Sequence, residues 1–121
     1  MPMSQSDMVR RCFEAYATQQ RGMIEELLAE DFRFTSPYDD AIDRNEYFAR
    51  CWPTSEHMRE VEVETVCETG DKTFVRYRAA TRDGREFRNT EVFTFAGGKV
   101  RSVEVYFGAT YRDGVFLKQP Q

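Results

Sequence analysis

The stretch from Lys72 to Phe95, "KTFVRYRAATRDGREFRNTEVFTF", decides the fold because it holds two strands around one tight turn. Aromatic and β-branched residues alternate with polar ones on both sides of Asp83-Gly84, which is the period of a β-strand. An Asp-Gly pair flanked by such alternation is the strongest short-range hairpin signal. The sequence therefore predicts an antiparallel hairpin here.

The turn also predicts the register of this hairpin. A two-residue turn at Asp83-Gly84 would pair Arg76 with Glu91 and Arg78 with Asn89. Directly opposite residues share a face of the sheet, so these four polar side chains would form one cluster between phenylalanines. The other face, predicted to be an outer or dimer surface, would carry Val75, Tyr77, Ala79, Thr90, Val92 and Thr94.

The following hairpin allows two registers. A two-residue turn at Gly97-Gly98 would place Glu91 opposite Glu104, with like charges facing each other. A three-residue loop that includes Ala96 would place Glu91 opposite Val103 and bring Val105 and Phe107 onto the same face. We expect the second register, because it avoids the repulsion.

The residues before the sheet predict three helices. "SQSDMVRRCFEAYATQQRG" has Ser4 and Ser6 as candidate N-caps, and Gly22 ends it. "MIEELLAE" predicts a second, short helix, and Asp43 is placed to cap a third that Pro53 stops. Between them, "DFRFTSP" predicts a strand and "YDDAID" a polar loop.

Helices followed by a run of strands predict an α+β fold, with three N-terminal helices packed on a strongly curved antiparallel sheet. The 121 residues suit one domain, 1–121, with no linker. The space between the helices and the sheet is then the natural pocket for a small molecule.

Composition excludes several classes of protein. The net charge of −4 disfavours a nucleic-acid binder, and no stretch reaches membrane-spanning length or forms a signal peptide. Three widely spaced cysteines without a C-x-x-C predict reduced thiols in a cytoplasmic protein, not a zinc site. The aspartates 39, 40 and 43 miss the calcium-loop spacing. We therefore expect no metal and no cofactor.

The stretches "LLAEDFRFTSP" and "TEVFTFAGGKVRSVEVYFG" resemble the SnoaL-like branch of the NTF2-like superfamily, which includes ketosteroid isomerase. The resemblance covers roughly residues 6 to 108 and leaves about 109 to 121 as a C-terminal extension. It implies an NTF2-like cone with an internal pocket and a homodimer.

The functional groups of ketosteroid isomerase carry over only in part. The resemblance places Glu91 where that enzyme has its oxyanion-stabilising acid. Ser36 falls at the position of the catalytic base, and Cys12 or Phe13 at that of the oxyanion tyrosine. Since a serine cannot act as a carboxylate base, steroid isomerisation by that mechanism is not expected.

Glu91 and Arg78 are the candidate catalytic residues. With Arg76 across the strand, Glu91 is predicted to be ionised, either as an acid/base group or as a structural ion pair. Arg78 faces Asn89, which cannot neutralise it, so it either binds an anion or packs its stem and reaches solvent. Asp39 or Asp40 is an alternative base, and His57 a possible one. The predicted substrate-binding residues are Arg76, Asn89, Phe34, Tyr38, Trp52, Phe93, Val103, Val105 and Phe107.

Two functions fit these residues. The first is a cofactor-independent isomerase, cyclase, hydratase or hydrolase that transfers a proton on a small anionic or carbonyl-bearing substrate. The alternative is a non-catalytic ligand-binding or dimeric interaction module, because a fold does not dictate a function.

Overall fold

The computed structural model describes residues 3–118; residues 1–2 and 119–121, the last of the predicted extension, lie outside it. The helices are α1 (Gln5–Ala17), α2 (Arg21–Leu27) and α3 (Arg44–Arg50), with a 3-10 helix at Trp52–His57. The strands are β1 (Leu28–Ser36), β2 (Asp39–Asp43), β3 (Met58–Thr69), β4 (Lys72–Thr81), β5 (Arg85–Ala96), β6 (Lys99–Arg112) and β7 (Val115–Leu117).

Two predicted helix caps are confirmed. Ser4 is the N-cap of α1, where its hydroxyl accepts the backbone N–H of Asp7 at 3.0 Å in a capping box. Asp43 caps α3, and its carboxylate accepts the backbone N–H of Glu46 at 2.9 Å. Such caps satisfy backbone groups that a helix end leaves unpaired, so short polar side chains mark both starts.

The strands form one curled sheet in the order β2-β1-β6-β5-β4-β3, with β7 paired to β6. Three helices on this sheet give the predicted cone-shaped α+β fold. The sheet is mixed and not wholly antiparallel, because β1 runs parallel to β6. The predicted loop "YDDAID" is wrong, since Asp39–Asp43 is the edge strand β2. An edge strand pairs along one side only and tolerates polar residues.

Helix α1 is attached to the β3–β4 hairpin through Gln5. The buried hydroxyl of Thr73 donates to Gln5 Oε1 at 2.8 Å, and Gln5 Nε2 donates to the carbonyl of Gly70 at 3.0 Å. The core lies between the helices and the concave face of the sheet, and its largest fully buried apolar side chains are Val9, Phe32, Val75 and Val100.

The predicted register of the β4–β5 hairpin is wrong by one residue. Tyr77 pairs with Asn89, and Val75 pairs with Glu91. The loop holds three residues, 82–84, because Gly84 adopts a φ of 90° and donates its N–H to the carbonyl of Thr81 at 3.2 Å. Since side chains alternate along a strand, a shift of one residue moves every β4 side chain to the opposite face.

The predicted cluster of Arg76 and Arg78 with Glu91 is therefore wrong. Both arginines lie on the outer face of the sheet, away from the helices. Arg78 pairs with Glu60 and, at 3.3 Å, with Glu86. Arg76 Nε lies 3.5 Å from a carboxylate oxygen of Glu64.

The β5–β6 hairpin combines the two expected registers. Gly97-Gly98 is a two-residue turn, so the predicted three-residue loop is wrong. A bulge follows directly, since Phe95 pairs with Val100 but Thr94 pairs with Ser102. The extra residue places Glu91 opposite Val105, which avoids Glu104 and keeps Val103, Val105 and Phe107 on the face of Glu91.

Gly108 lies at a second irregularity, where β6 approaches β5 closely. A Cβ at this position would meet the carbonyl oxygen of Arg88 at 2.1 Å. We expect Gly108→Ala to lower the free energy of unfolding by about 1–3 kcal/mol, because the backbone must shift to relieve the clash. Urea unfolding measures this change.

Gly22→Ala is the matched control, since a Cβ on that α2 residue would meet nothing within 4 Å. Alanine favours a helix, so its free energy of unfolding should stay the same or rise by up to about 1 kcal/mol. Equal unfolding curves for Gly108→Ala and the wild type would contradict the close approach.

Candidate functional site

A cavity of about 620 Å³ lies between the concave face of the sheet and the helices. This volume is in the range of sites that enclose a small organic molecule. Strands β1, β4, β5 and β6 and helices α1 and α3 contribute to its wall. The wall is mainly aromatic and aliphatic, with Phe13, Phe32, Phe34, Tyr47, Phe87, Phe93, Val103, Val105 and Phe107.

A chain of hydrogen bonds crosses the sheet inside this wall. The backbone N–H of Gly108 donates to Asn89 Oδ1 at 3.3 Å. Asn89 Nδ2 donates to the hydroxyl oxygen of Tyr77 at 3.0 Å, and that hydroxyl donates to Glu91 Oε2 at 2.7 Å. Because a backbone N–H can only donate, it orients the Asn89 amide, and every bond in the chain points toward Glu91.

Burial raises the pKa of Glu91 to about 7, although the hydrogen bond from Tyr77 acts in the opposite direction. The apolar wall disfavours the charged form, whereas a donor to the carboxylate favours it. The prediction of a Glu91 ionised by neighbouring arginines is thus wrong, because Arg76 and Arg78 face outward. Near neutral pH both the protonated and the ionised form of Glu91 are therefore present.

The groups around Glu91 keep their own protons. Burial first, and then the charge of Glu91, raises the pKa of Cys12 to about 12. Burial raises the pKa of Tyr16 to about 12, against the lowering effect of its bond to Thr54, and it also raises the pKa of Tyr47. These hydroxyl and thiol groups are therefore hydrogen-bond donors at neutral pH.

A second polar cluster lies around Asp39 on the other side of the cavity. The hydroxyl of Ser36 donates to Asp39 Oδ2 at 2.8 Å, and Arg50 Nη2 lies 2.9 Å from Asp39 Oδ1. The thiol of Cys51 contacts the same carboxylate at 3.8 Å, and burial followed by Asp39 raises the pKa of this thiol to about 12. Asp39 lines the cavity and Asp40 does not, so of the two alternative bases only Asp39 is in position.

The structure brings most of the predicted site residues into one wall and leaves three out. Trp52 lies behind the cavity, with its ring edge-on to Tyr16 at 5.8 Å and near Phe48 at 6.4 Å. Arg76 and Arg78 lie on the outer face. The residues that line the cavity are Glu91, Asn89, Phe34, Tyr38, Phe93, Val103, Val105 and Phe107.

Tyr77 is the member of the site that the sequence reasoning missed. The alternation along β4 indicates that Tyr77 faces inward. Val75, Tyr77 and Ala79 alternate with two arginines, and the apolar face of a strand normally turns toward the core. Matching that face to the phenylalanine face of β5 requires a loop with an odd number of residues. An Asp-Gly pair favours a two-residue turn, and that turn would match the phenylalanine face to the arginine face of β4 instead.

Two other kinds of site are absent from residues 3–118. No group of three or more His, Cys, Asp or Glu side chains is arranged to hold a metal ion in this part of the chain. Nor does any of its helices combine the length and the apolar character needed to cross a bilayer.

Solved structures share this architecture. An NTF2-like protein of unknown function from Cytophaga hutchinsonii matches with a TM-score of 0.73 at 20% identity, covering 88% of this chain and 92% of that one. A candidate SnoaL-like polyketide cyclase from Jannaschia sp. CCS1 matches with a TM-score of 0.74 at 22% identity, over 88% and 90%. A candidate polyketide cyclase from Sinorhizobium meliloti gives 0.68 at 22%, over 82% and 93%.

The sequence itself identifies the family. No curated protein matches the chain. The model of the SnoaL-like domain matches residues 9–103, which include most of the helices and strands that enclose the cavity. The chain therefore belongs to the SnoaL-like domain family.

Proposed function

We propose that this protein is a cofactor-independent enzyme that moves a proton on a small carbonyl-bearing substrate held in the cavity, as in an isomerisation or a cyclisation. One observation carries the proposal. Glu91 is a carboxyl group with a pKa of about 7, enclosed by an apolar wall and oriented by the hydroxyl of Tyr77.

A carboxyl group with this pKa can act as base and as acid at the same pH. Its ionised form takes a proton from the carbon next to a carbonyl, and the electrons of that C–H bond form an enolate. In an isomerisation, the protonated Glu91 returns the proton to another carbon of the enolate. In a cyclisation, the enolate carbon attacks a second carbonyl of the substrate, and the new alkoxide takes up the proton. A pKa near the working pH makes both transfers efficient.

The neighbours of Glu91 fit this role. Tyr16, Tyr47 and Cys12 line the same cavity and remain protonated, so they can donate to an enolate oxygen as it gains charge. Tyr77 and Asn89 hold the carboxyl in place from the sheet side. The mainly apolar wall lowers the local polarity, which strengthens each of these interactions.

The comparisons support this class of reaction in general terms. Two structures of similar fold belong to candidate polyketide cyclases, at 22% identity. A cyclase of this kind needs a cavity for a carbon skeleton and a group that transfers protons. Here Glu91 and its surroundings would supply both.

A ligand-binding module without catalysis is the second candidate, since a cavity with apolar walls can bind a ligand without any reaction. Such a module would bind the same compounds and leave their carbon-bound protons in place. The predicted homodimer and the predicted cytoplasmic location stay predictions.

Glu91→Gln tests the proposed reaction without knowledge of the natural substrate. In D2O, the wild type should speed the exchange of the protons next to the carbonyl of 2-tetralone, an apolar bicyclic ketone. The variant should exchange them roughly 10²–10⁴ times more slowly, because the amide cannot accept the proton. Proton NMR of the ketone follows the exchange.

Glu104→Gln is the matched control, because Glu104 is an exposed carboxylate on the outer side of β6. Its exchange rate should equal that of the wild type. If Glu91→Gln exchanged the protons of 2-tetralone at the wild-type rate, the catalytic role of Glu91 would be refuted. If the wild type and the variant bound 2-tetralone saturably and neither exchanged its protons, the binding module would be favoured.

Stability should also depend on pH through Glu91. Its pKa in the folded protein, about 7, lies above the ordinary value of 4.5. Between pH 4.5 and 7 the folded protein therefore binds a proton that the unfolded chain has released. The free energy of unfolding falls as the pH rises through this range. Between pH 5 and 8 the wild type should lose roughly 2–3 kcal/mol relative to Glu91→Gln. Urea unfolding of both proteins at both pH values measures this; a constant difference would contradict the raised pKa.

Tyr77→Phe should raise the pKa of Glu91 further. The variant loses the hydrogen bond that favours the ionised carboxylate and keeps the aromatic ring. A side-chain carbon NMR titration reports the pKa directly. Tyr106→Phe, which removes an exposed hydroxyl bonded to Glu104, should leave it unchanged. An unchanged or lower pKa in Tyr77→Phe would show that the hydroxyl does not tune Glu91.

A further inference from the structure

The wall of the cavity carries more cations than the composition of the chain suggests. Its basic side chains are Arg50, Arg85 and Lys118, and its acidic ones are Asp39 and Glu91, among the residues that the structure describes. The whole chain has the opposite balance, with 17 Lys and Arg against 21 Asp and Glu. Arg50 and Arg85 are paired with Asp39 and Asp83, so Lys118 and the raised pKa of Glu91, about 7, tip the balance of the wall toward positive charge within an acidic protein.

These cations lie at the mouth of the cavity. The side chains of Arg50 and Arg85 are 52% and 47% exposed, whereas Tyr77, Asn89 and Phe93 are buried. The apolar wall and Glu91 thus form the deep part of the cavity, and the charged groups form its entrance.

Exposed residues of the wall place the entrance beside β6, since Tyr38 and Phe107 line the cavity and are 64% and 41% exposed. Two strands pair with successive parts of the same edge of β6. Strand β1 pairs with β6 as far as Glu104, and β7 pairs with it from Thr110 onward. Residues 105–109 lie in the interval between these two partners. Tyr38 lies over this interval with its ring 5.6 Å from that of Phe107. Lys118 follows β7 on one side of the interval.

Both arginines have acidic neighbours that do not depend on them alone. Asp39 forms an ion pair with Arg50 through Oδ1, while Ser36 and Cys51 donate hydrogen bonds to its other oxygen, Oδ2. Asp83 lies 3.2 Å from Arg85 and also 3.7 Å from Arg112. Each acid therefore keeps a partner when its arginine turns toward a ligand, which lowers the cost of releasing the guanidinium.

We propose that the mouth of the cavity binds the anionic group of an amphipathic small molecule through Arg50, Arg85 and Lys118. The inference rests on the proposed function and names its substrate class. A carboxylate, sulfonate or phosphate lies at the entrance, and an apolar carbonyl-bearing skeleton extends inward to Glu91. Arginine suits such oxyanions because its planar fork of N–H donors matches their geometry.

A pair of matched dyes tests this directly. 8-Anilinonaphthalene-1-sulfonate and N-phenyl-1-naphthylamine share one ring system and differ in the sulfonate. Each exposed ion pair changes an affinity by roughly 1.5- to 5-fold, so the wild type should bind the sulfonate dye about tenfold more tightly. This preference should shrink as salt rises, since exposed charges are screened.

The triple variant Arg50→Gln, Arg85→Gln, Lys118→Gln should bind the two dyes within about twofold of each other, with its affinity for the neutral dye unchanged. The control is Arg10→Gln, Arg76→Gln, Arg101→Gln, which removes the same net charge from exposed positions outside the cavity wall. It should keep the tenfold preference. Fluorescence titration gives all of these affinities.

The outcomes separate this inference from the proposed reaction. Equal affinities of the wild type for the two dyes, or an equal loss of preference in both triple variants, would overturn the anion site and leave the proton transfer of Glu91 standing. Binding of neither dye would overturn the anion site, and the exchange of 2-tetralone protons would still decide the proposed reaction. A preference that persists in Glu91→Gln, even where that variant fails to exchange protons, would support the anion site by itself.

Discussion

The three-residue loop at 82–84 is the constraint on which the site depends. Gly84 adopts a positive φ that other residues rarely take, and the hydroxyl of Thr81 accepts the backbone N–H of Arg85 at 3.0 Å. Together they set the register of β4 against β5. That register turns Tyr77 toward the helices and Arg78 toward solvent, where its glutamate partners lie. A loop one residue shorter would bury the arginines and expose the tyrosine.

Glu91 shows how the fold tolerates a costly group. An isolated ionised carboxylate is expensive to bury, and here the cost appears as a raised pKa. The hydrogen bond from Tyr77 reduces this cost, and it is directed by Asn89, which is itself held by the backbone of Gly108. The close approach of β6 to β5 at Gly108 thus connects an irregularity of the backbone to the acidity of the site.

The charges of the molecule are sorted between its two faces and the entrance of the cavity. On the outer face, Arg76 and Arg78 pair with glutamates. In the depth of the cavity, Glu91 is surrounded by rings and aliphatic side chains. Cations on the cavity wall lie where they remain partly hydrated, because an apolar interior would penalise a charge without a partner. An amphipathic ligand would match this arrangement from end to end.

The sequence by itself determined what local patterns control. The caps at Ser4 and Asp43, the positions of the two hairpins and the shared face of Asn89, Glu91 and Val105 follow from short-range hydrogen bonding and from strand periodicity. The order of helices and strands also predicts the α+β class, and the resemblance to the SnoaL-like branch implies the cone. The mixed sheet was not predicted, because the pairing of β1 with β6 joins segments far apart in the chain.

Only the tertiary structure decided which side of β4 enters the cavity and how acidic Glu91 is. The side of β4 that faces the cavity depends on whether the loop before β5 has two or three residues, and the Asp-Gly pair does not decide between these lengths. The pKa depended on burial by helices and strands from both halves of the chain, which no local pattern of Glu91 reveals. Glu91, predicted to be an arginine-bound carboxylate, is in the folded protein an acid with a raised pKa that a tyrosine holds.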